Sequence, residues 1–368
     1  MNSNQHSATL TAFGGMALGG PGHGRGCGTS RLHLLYLLSA LLLSLNASAS
    51  EITDMAGRKV VVPDKISRVF GSAPPLNVLL NAVAPDKMIG VSFKIEDSAK
   101  KFFLQPVQSL PVVGGIFGVG QQMNPETVMA LKPDIVLAWK SPFVDQKKIE
   151  EAFAHMGIPL VFITLDTLAD WPRALRFTGK LLGRGEAVEA QAAYVEKTLA
   201  KLAATVGKVP ESRRPRVYYA EGPDALATDC NHSFHTEVIE LAAGYNVYRC
   251  EPKDHMGMER ISIEQVLAFD PEVIIVQDRA AEKAIHADVR WQGIRAVKNG
   301  RIHLVPRWPH NWVDRPPSAM RALGAQWLAN LFYPEIFPLD LKRETRDFYR
   351  LFFGVTPTDV DIDELLTH

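Results

Sequence analysis

The sequence has no excess of either charge, little cysteine, and neither of two common hydrolase motifs. Its 40 lysines and arginines balance 40 aspartates and glutamates, so its composition gives no support for a basic nucleic-acid-binding surface. It contains no G-x-S-x-G nucleophile elbow and no H-E-x-x-H zinc motif. The 46% hydrophobic and 22% charged residues are typical of a globular protein. A length of 368 residues suits two domains, each large enough to bury its own core.

The first fifty residues also lack aspartate and glutamate, and they have the features of a secretory signal peptide. Two arginines precede a mostly apolar run from Leu32 to Leu45, and the small residues Ala-Ser-Ala follow at 47–49. We expect residues 1–49 to be removed by cleavage after Ala49, which would leave the mature protein free in the periplasm. A membrane anchor is the alternative, but the run is short for a bilayer span.

Cysteine is scarce in the expected mature chain, which retains only Cys230 and Cys250. In an oxidising compartment these two would pair as a disulfide, and the competing interpretation is that they bind a metal ion. Cys27 precedes the apolar run of the leader instead of following it, so it is not a lipid-attachment cysteine. The leader is long, and its true start is Met1 or Met16; the sequence does not decide between them.

One stretch of the mature sequence occurs twice. Residues 124–139 have the pattern of a short helix, a turn at Pro133 and a buried apolar strand. Residues 262–276 repeat this pattern, and alignment without gaps places Glu126 on Glu264. Because the two copies are too far apart for a solenoid period, we interpret them as the matching parts of two lobes of similar design.

Strands that alternate with helices predict an α/β fold with mostly parallel sheets. We assign an N-terminal lobe to residues 50–165, a long helical connector to 166–210 and a C-terminal lobe to 211–310. Residues 311–368 are expected to form helices that pack back on the lobes. The Gly-Arg-Gly sequence at 183–185 predicts that the connector is two helices. A helical connector would resist large hinge motion.

Ligands of parallel α/β sheets bind beyond the carboxyl ends of the strands. In the first lobe this rule places Phe93, Trp139 and Lys140 at a cleft, and in the second lobe it places Tyr219 there. For Trp139 the alternative is a tryptophan that only caps the core.

A second aromatic and polar cluster follows the last predicted strand, and its candidate ligand contacts are Trp308, His310, Trp312 and Arg315. The Arg315 guanidinium suits bidentate recognition of anionic groups. Its alternative role is to pair with the neighbouring Asp314 and fix the C-terminal segment.

The densest group of possible metal ligands is the segment 230–235, which contains one thiol and two imidazoles. His232 and His235 are three positions apart, so they share a helical face only if the helix expected at 234–243 begins by His232. Otherwise the two histidines are solvated loop residues.

Taken together, the sequence resembles the periplasmic substrate-binding proteins of ABC importers for iron–siderophore complexes, haem and cobalamin. The resemblance rests on the Asp-Met-Ala-Gly-Arg opening at 54–58, the paired stretches, the helical connector and the export signal. It implies two Rossmann-like lobes that hold a metal chelate with little closure, and an aromatic contact to the ligand at Trp139. It also implies that Glu126 and Glu264 dock on arginines of the membrane permease. Residues 312–318 further resemble the branch usually labelled iron or nickel transport.

We therefore expect a monomeric binding protein, not an enzyme, that delivers a metal chelate to an ABC permease. The iron, cobalt or nickel would be cargo, with no intrinsic cofactor and no nucleic-acid partner. A metallo-enzyme is one alternative, although it needs an acid or base beside an open metal position. A metal chaperone or sensor that binds a bare ion through the Cys, His and Met residues is the other. Glu126 and Glu264 also have a purely structural explanation, because helix N-termini favour carboxylates.

Overall fold

The computed structural model describes residues 48–116, 122–142, 144–253 and 256–367. The expected signal peptide lies outside these ranges except for its last two residues. No helix within the described ranges is long and apolar enough to cross a membrane.

The first lobe contains an antiparallel ribbon and a parallel three-stranded sheet. Its strands are β1 (Ala49–Thr53), β2 (Lys59–Pro63), β3 (Val69–Gly71), β4 (Ile135–Trp139) and β5 (Leu160–Ile163). Its α-helices are α1 (Pro74–Val83), α2 (Gln105–Gln108), α3 (Pro125–Ala130) and α4 (Gln146–Ala154). The ribbon is β1–β2 and the sheet has the order β3-β4-β5, with all of its residues buried.

The connector consists of two helices, α5 (Trp171–Leu181) and α6 (Glu189–Ala204). The predicted break between them is confirmed, and Gly183 at its start has a φ of +70°, which a residue with a side chain rarely adopts.

The second lobe contains a parallel four-stranded sheet of order β11-β10-β6-β8 and a short antiparallel ribbon, β7–β9. Its strands are β6 (Arg216–Ala220), β7 (Ala227–Thr228), β8 (Tyr245–Asn246), β9 (Glu259–Arg260), β10 (Val273–Val276) and β11 (Ile302–Leu304). Its α-helices are α7 (Glu237–Leu241), α8 (Ile263–Phe269), α9 (Arg279–Ala287) and α10 (Arg295–Lys298). The chain ends with α11 (Met320–Phe332), α12 (Leu341–Phe353) and α13 (Asp359–Thr367).

The repeated stretch folds in the same way in both lobes. In the first lobe Arg68 donates a side-chain hydrogen bond to a carbonyl at the C-terminal end of α3, and the Asp134 carboxylate accepts from the Arg68 backbone N–H at 2.9 Å. In the second lobe Arg216 donates to a carbonyl at the end of α8, and Glu272 accepts from the Arg216 N–H at 2.9 Å. The two helix–turn–strand units are therefore anchored to their sheets by equivalent polar contacts.

The largest buried cluster is continuous from the first lobe to the second and includes the C-terminal helices. It contains Leu137 of β4, Tyr219 of β6, Leu328 of α11 and Phe348 of α12. The α6 helix packs against both α11 and α12. The two-lobed α/β fold with parallel sheets and a helical connector is thus confirmed.

A buried ion pair ties the start of the connector to the second lobe. The Arg321 side chain of α11 is inaccessible to solvent, and its Nη1 lies 2.6 Å from Oε2 of Glu237. The same guanidinium donates to the carbonyls of Leu165 and Asp166, just beyond β5, and Glu237 accepts from the N–H of Leu168. These contacts oppose a hinge where the chain leaves the first lobe.

Candidate ligand-binding cleft

A cavity of about 400 Å³ opens between the two lobes, bounded by residues that follow the strand ends of both sheets. Six of the residues predicted from the sequence line it: Phe93, Trp139, His235, Trp308, His310 and Arg315. Other residues that line the cavity include Lys94, Phe103, Phe234, Met256, Gln277, Asp278 and Arg307. Of the four residues that the strand-end rule predicted, Phe93 and Trp139 line the cavity, and Lys140 and Tyr219 do not.

Aromatic rings line much of the cavity. His310 lies edge-on to Phe93 and Phe103, with ring centroids 5.7 and 5.6 Å apart. From the other part of the lining, Trp139 packs edge-on against Phe234 at 5.6 Å. Such surfaces make favourable contact with the flat or apolar parts of a ligand.

The cleft aromatics include a histidine that stays neutral. His310 is 5% exposed, and burial lowers its pKa to about 3. No described residue makes a hydrogen bond to its Nε2. At neutral pH His310 therefore contributes an uncharged ring to the cleft.

The base of the cleft is a buried cluster of charged groups around Arg315. Its guanidinium lies 2.9 Å from a Glu221 oxygen, 3.0 Å from an Asp229 oxygen and 3.0 Å from an Asp314 oxygen. Arg315 pairs with Asp314, as one sequence-based interpretation expected, and it also lines the cavity, so contact with an anionic ligand stays a prediction. Burial raises the pKa of Glu221 well above its ordinary value. Burial alone would also raise the pKa of Asp314, but Arg315 and His235 hold it below the usual range.

His235 belongs to this cluster. Its ring is 3% exposed, and its Nδ1 lies 3.1 Å from Oδ2 of Asp314, whose other oxygen accepts a hydrogen bond from the Tyr219 hydroxyl at 2.7 Å. Donor atoms of Asp229, His235 and Asp314 all lie within 4.8 Å of one another, a spacing compatible with a metal ion. The Arg315 guanidinium contacts both of these carboxylates, so a cation already occupies part of their coordination space.

His232 lies outside the cleft, which corrects the expectation that both histidines face it. Its side chain is exposed, and its Nδ1 lies 2.8 Å from a Glu251 oxygen. The helix begins only at Glu237, so His232 and His235 do not share a helical face. Nearby, Cys230 and Cys250 are joined in a disulfide, the first of the two alternatives left open by the sequence.

Three further predicted contacts also need correction. Lys140 follows β4, but it does not line the cavity, and its backbone N–H donates to the carbonyl of Ile163. Tyr219 is completely buried below the cleft, because its position inside β6 directs it into the core. Trp312 is also completely buried, with its Nε1 donating to the Tyr349 hydroxyl at 3.4 Å under the C-terminal helices.

Several cleft residues were not identified from the sequence. Asp229 precedes the donor-rich segment 230–235 and Phe234 lies within it, so proximity to its candidate ligands was an available signal. Phe103 follows no strand, and only the folded chain brings it against His310.

Glu126 and Glu264 lie on the surfaces of α3 and α8, one on each lobe, and both are exposed. Within the described part of the chain neither makes an ion pair, and neither lines the cleft. Asn124 and Ser262 cap the two helices by accepting hydrogen bonds from backbone N–H groups.

Comparison with known proteins agrees with this architecture. A family model described as "Periplasmic binding protein" matches residues 76–307. The molybdate-binding protein MolA of Haemophilus influenzae is 29% identical over 86% of this chain and 95% of that protein. A vitamin B12-binding protein of Vibrio campbellii is 26% identical over 70% of this chain and 86% of that protein.

Solved structures show the same fold. An ABC transporter solute-binding protein from Sulfurospirillum deleyianum superposes with a TM-score of 0.81 at 34% identity, over 86% of this chain and 99% of that one. The molybdate-bound MolA structure superposes with a TM-score of 0.65 at 27% identity, over 84% of this chain and 99% of that one. With its two lobes, helical connector and interlobe cleft, the chain belongs to the periplasmic binding proteins of ABC importers, a family of binding proteins and not of enzymes.

Proposed function

We propose that this protein captures a small metal-centred chelate in the interlobe cleft and delivers it to an ABC permease. The observation that carries this proposal is the aromatic lining around a cavity of about 400 Å³, with a charged base. Rings suit the organic part of a chelate, and the polar base suits its metal centre or anionic groups. The candidate ligands are the classes predicted from the sequence, namely ferric siderophores, haem, cobalamin and nickel or cobalt complexes.

A bare oxyanion is the second candidate, because one relative is named for molybdate binding. Lys94 and Arg307 line the cavity and supply positive charge for such a ligand. We favour a chelate, since the Arg315 guanidinium is already engaged by three carboxylates and the phenyl rings of Phe93, Phe103 and Phe234 offer no hydrogen bonds to a small oxyanion.

Within this proposal His235 is the candidate metal ligand. Its ring lines the cavity, and a carboxylate such as Asp314 beside Nδ1 is the usual way in which a protein orients a metal-binding imidazole. His232 is exposed and paired with Glu251 outside the cleft, so it serves as a matched control.

Calorimetric titration with a panel of ligands tests the proposal. The panel comprises ferric catecholate and hydroxamate chelates, haem, cobalamin, a nickel–histidine complex, free nickel and molybdate. We expect one chelate to bind, with its affinity reduced about tenfold by His235→Ala and unchanged by His232→Ala. Binding of molybdate alone would contradict the chelate, and binding of free nickel alone would favour a metal chaperone.

The remaining parts of the proposal concern delivery. We place the mature protein in the periplasm as a monomer, after removal of residues 1–49, and we assign docking on the permease to Glu126 and Glu264. Charge reversal at both glutamates should block uptake and leave ligand affinity unchanged. Loss of ligand binding in that variant would show instead that they belong to the ligand site.

A further inference from the structure

Each of the two repeated helices exposes a large apolar side chain at the same position. Met129 follows Glu126 by three residues and is 44% exposed. Leu267 follows Glu264 by three residues and is 39% exposed. Among the described residues only six large hydrophobic side chains are this exposed, and two of them are this aligned pair.

Helix geometry places each apolar side chain beside its glutamate. Residues three apart on an α-helix are neighbours on its surface. In each helix a valine lies between the glutamate and the apolar residue, and these valines, Val128 and Val266, are completely buried. The next position is a small exposed residue in both helices, Ala130 and Ala268, which leaves room for a partner to approach. Each lobe therefore presents a carboxylate, an apolar side chain and an open helix surface in the same order.

The surroundings of α8 extend this pattern. The turn Val289–Gly293 packs on α8. Its first residue, Val289, is 79% exposed, and its last, Gly293, lies beside Leu267. Glu264 has a lowered pKa because its carboxylate accepts hydrogen bonds from the backbone N–H of Glu264 and from the Ser262 side chain, so it carries a negative charge at neutral pH. The second lobe thus places the Glu264 carboxylate beside a small apolar patch, with Arg290 of the same turn nearby and paired with Asp288.

We infer that Met129 and Leu267 are apolar contact points for the ABC permease, beside the docking carboxylates Glu126 and Glu264. The inference rests on the proposed function and adds the chemistry of the partner. On each side the permease would offer a cationic side chain next to an apolar depression. Exposed ion pairs alone contribute little and weaken in salt, whereas burial of an apolar side chain gives a contact that salt does not screen.

The direct test is equilibrium binding of the purified protein to its permease in lipid nanodiscs, with empty nanodiscs as the lipid control. Combining Met129→Ser with Leu267→Ser should weaken binding about tenfold or more. The matched control combines Ile336→Ser with Val360→Ser, two apolar residues elsewhere that are more exposed than the tested pair, and should bind as the wild type does. Thermal unfolding should be the same for all three proteins, which excludes misfolding as the cause.

Salt separates the two kinds of contact. Combining Glu126→Lys with Glu264→Lys should weaken binding strongly in low salt and much less in 0.5 M salt, whereas the serine variant should remain weak in both. If the wild type binds the permease and the serine variant binds equally well, the inference is wrong although the proposed function stands. If the wild type does not bind the permease at all, both fail. Equal binding to empty nanodiscs would overturn the inference in favour of a lipid surface.

Discussion

At the residue scale, the base of the cleft depends on one guanidinium that pairs with three buried carboxyl groups. Arg315 is the shared partner of Glu221, Asp229 and Asp314. A buried charge that loses its partner destabilises a protein far more than an exposed one does. The cluster is therefore a structural requirement of the cleft as well as a candidate ligand contact.

Replacement of Arg315 by methionine should lower the free energy of unfolding by about 3–5 kcal/mol at pH 7, because three carboxylates remain without their cation. Arg315 holds the pKa of Asp314 below its usual value, so its stabilisation is present above that usual value and is lost as the pH falls. The gap between variant and wild type should thus be smaller at pH 3 than at pH 7, as urea unfolding would show. Arg307→Met, at a more exposed cavity position, is the control and should have much less effect; equal losses would contradict the account.

His310 makes stability depend on pH for a different reason: it is a base that burial keeps uncharged, whereas Asp314 is an acid that its cationic neighbour keeps charged. The pKa of His310 falls from the ordinary 6.5 to about 3 in the folded protein, so the unfolded chain binds the extra proton between these values. At pH 5 this difference costs about 2 kcal/mol of stability relative to pH 7 and above. The variant His310→Phe should lack this part of the pH dependence in urea unfolding. Phe103→Leu, which perturbs the same contact without a titrating group, should retain it.

Sequence reasoning about strand ends succeeded only in part. Trp139, the last residue of β4, lines the cavity, whereas Lys140, which follows it, does not. Tyr219 was misplaced because the rule says where a strand ends, but not which face a residue inside it occupies. Trp312 was misplaced because its cover comes from α12, which begins almost thirty residues later in the chain.

At the element scale, the paired helix–turn–strand units and the broken connector were both predictable, since caps, prolines and glycines define them locally. The α7 helix was predicted too long. It begins at Glu237 because polar side chains before it bind the backbone in a competing way. The Ser233 hydroxyl accepts from the N–H of His235, and the Thr236 hydroxyl donates to the carbonyl of Cys230. These hydrogen bonds form turns that leave His232 exposed and His235 buried.

The ion pair between Glu237 and Arg321 should be the main polar contact that fixes the connector against the second lobe. Glu237→Gln keeps the shape but removes the charge opposite a fully buried guanidinium, and should cost about 3 kcal/mol of unfolding free energy. The control is Glu189→Gln, which breaks an exposed ion pair to Arg176 and should change stability far less. Chemical denaturation measures the stability of both variants. Similar losses would show that the ion pair between Glu237 and Arg321 does not fix the connector against the second lobe.

At the scale of the whole molecule, the two lobes follow from the repeated stretch, whereas the cleft does not. Its lining is assembled from segments as distant as Phe93 and Arg315, and its volume depends on how the connector and C-terminal helices pack. Long-range packing of this kind leaves no local pattern in the sequence. For this reason the family and fold were predictable, and the identity of the ligand was not.

The central claim is that a metal-centred chelate binds between the lobes. The most direct measurement is a crystal structure of the protein with the chelate selected by calorimetry, with anomalous scattering recorded at the absorption edge of its metal. We predict one anomalous peak inside the cavity, close to His235 and enclosed by Trp139, Phe234 and Trp308. A peak outside it at His232 and Glu251, or a bare tetrahedral oxyanion in the cleft, would contradict this account.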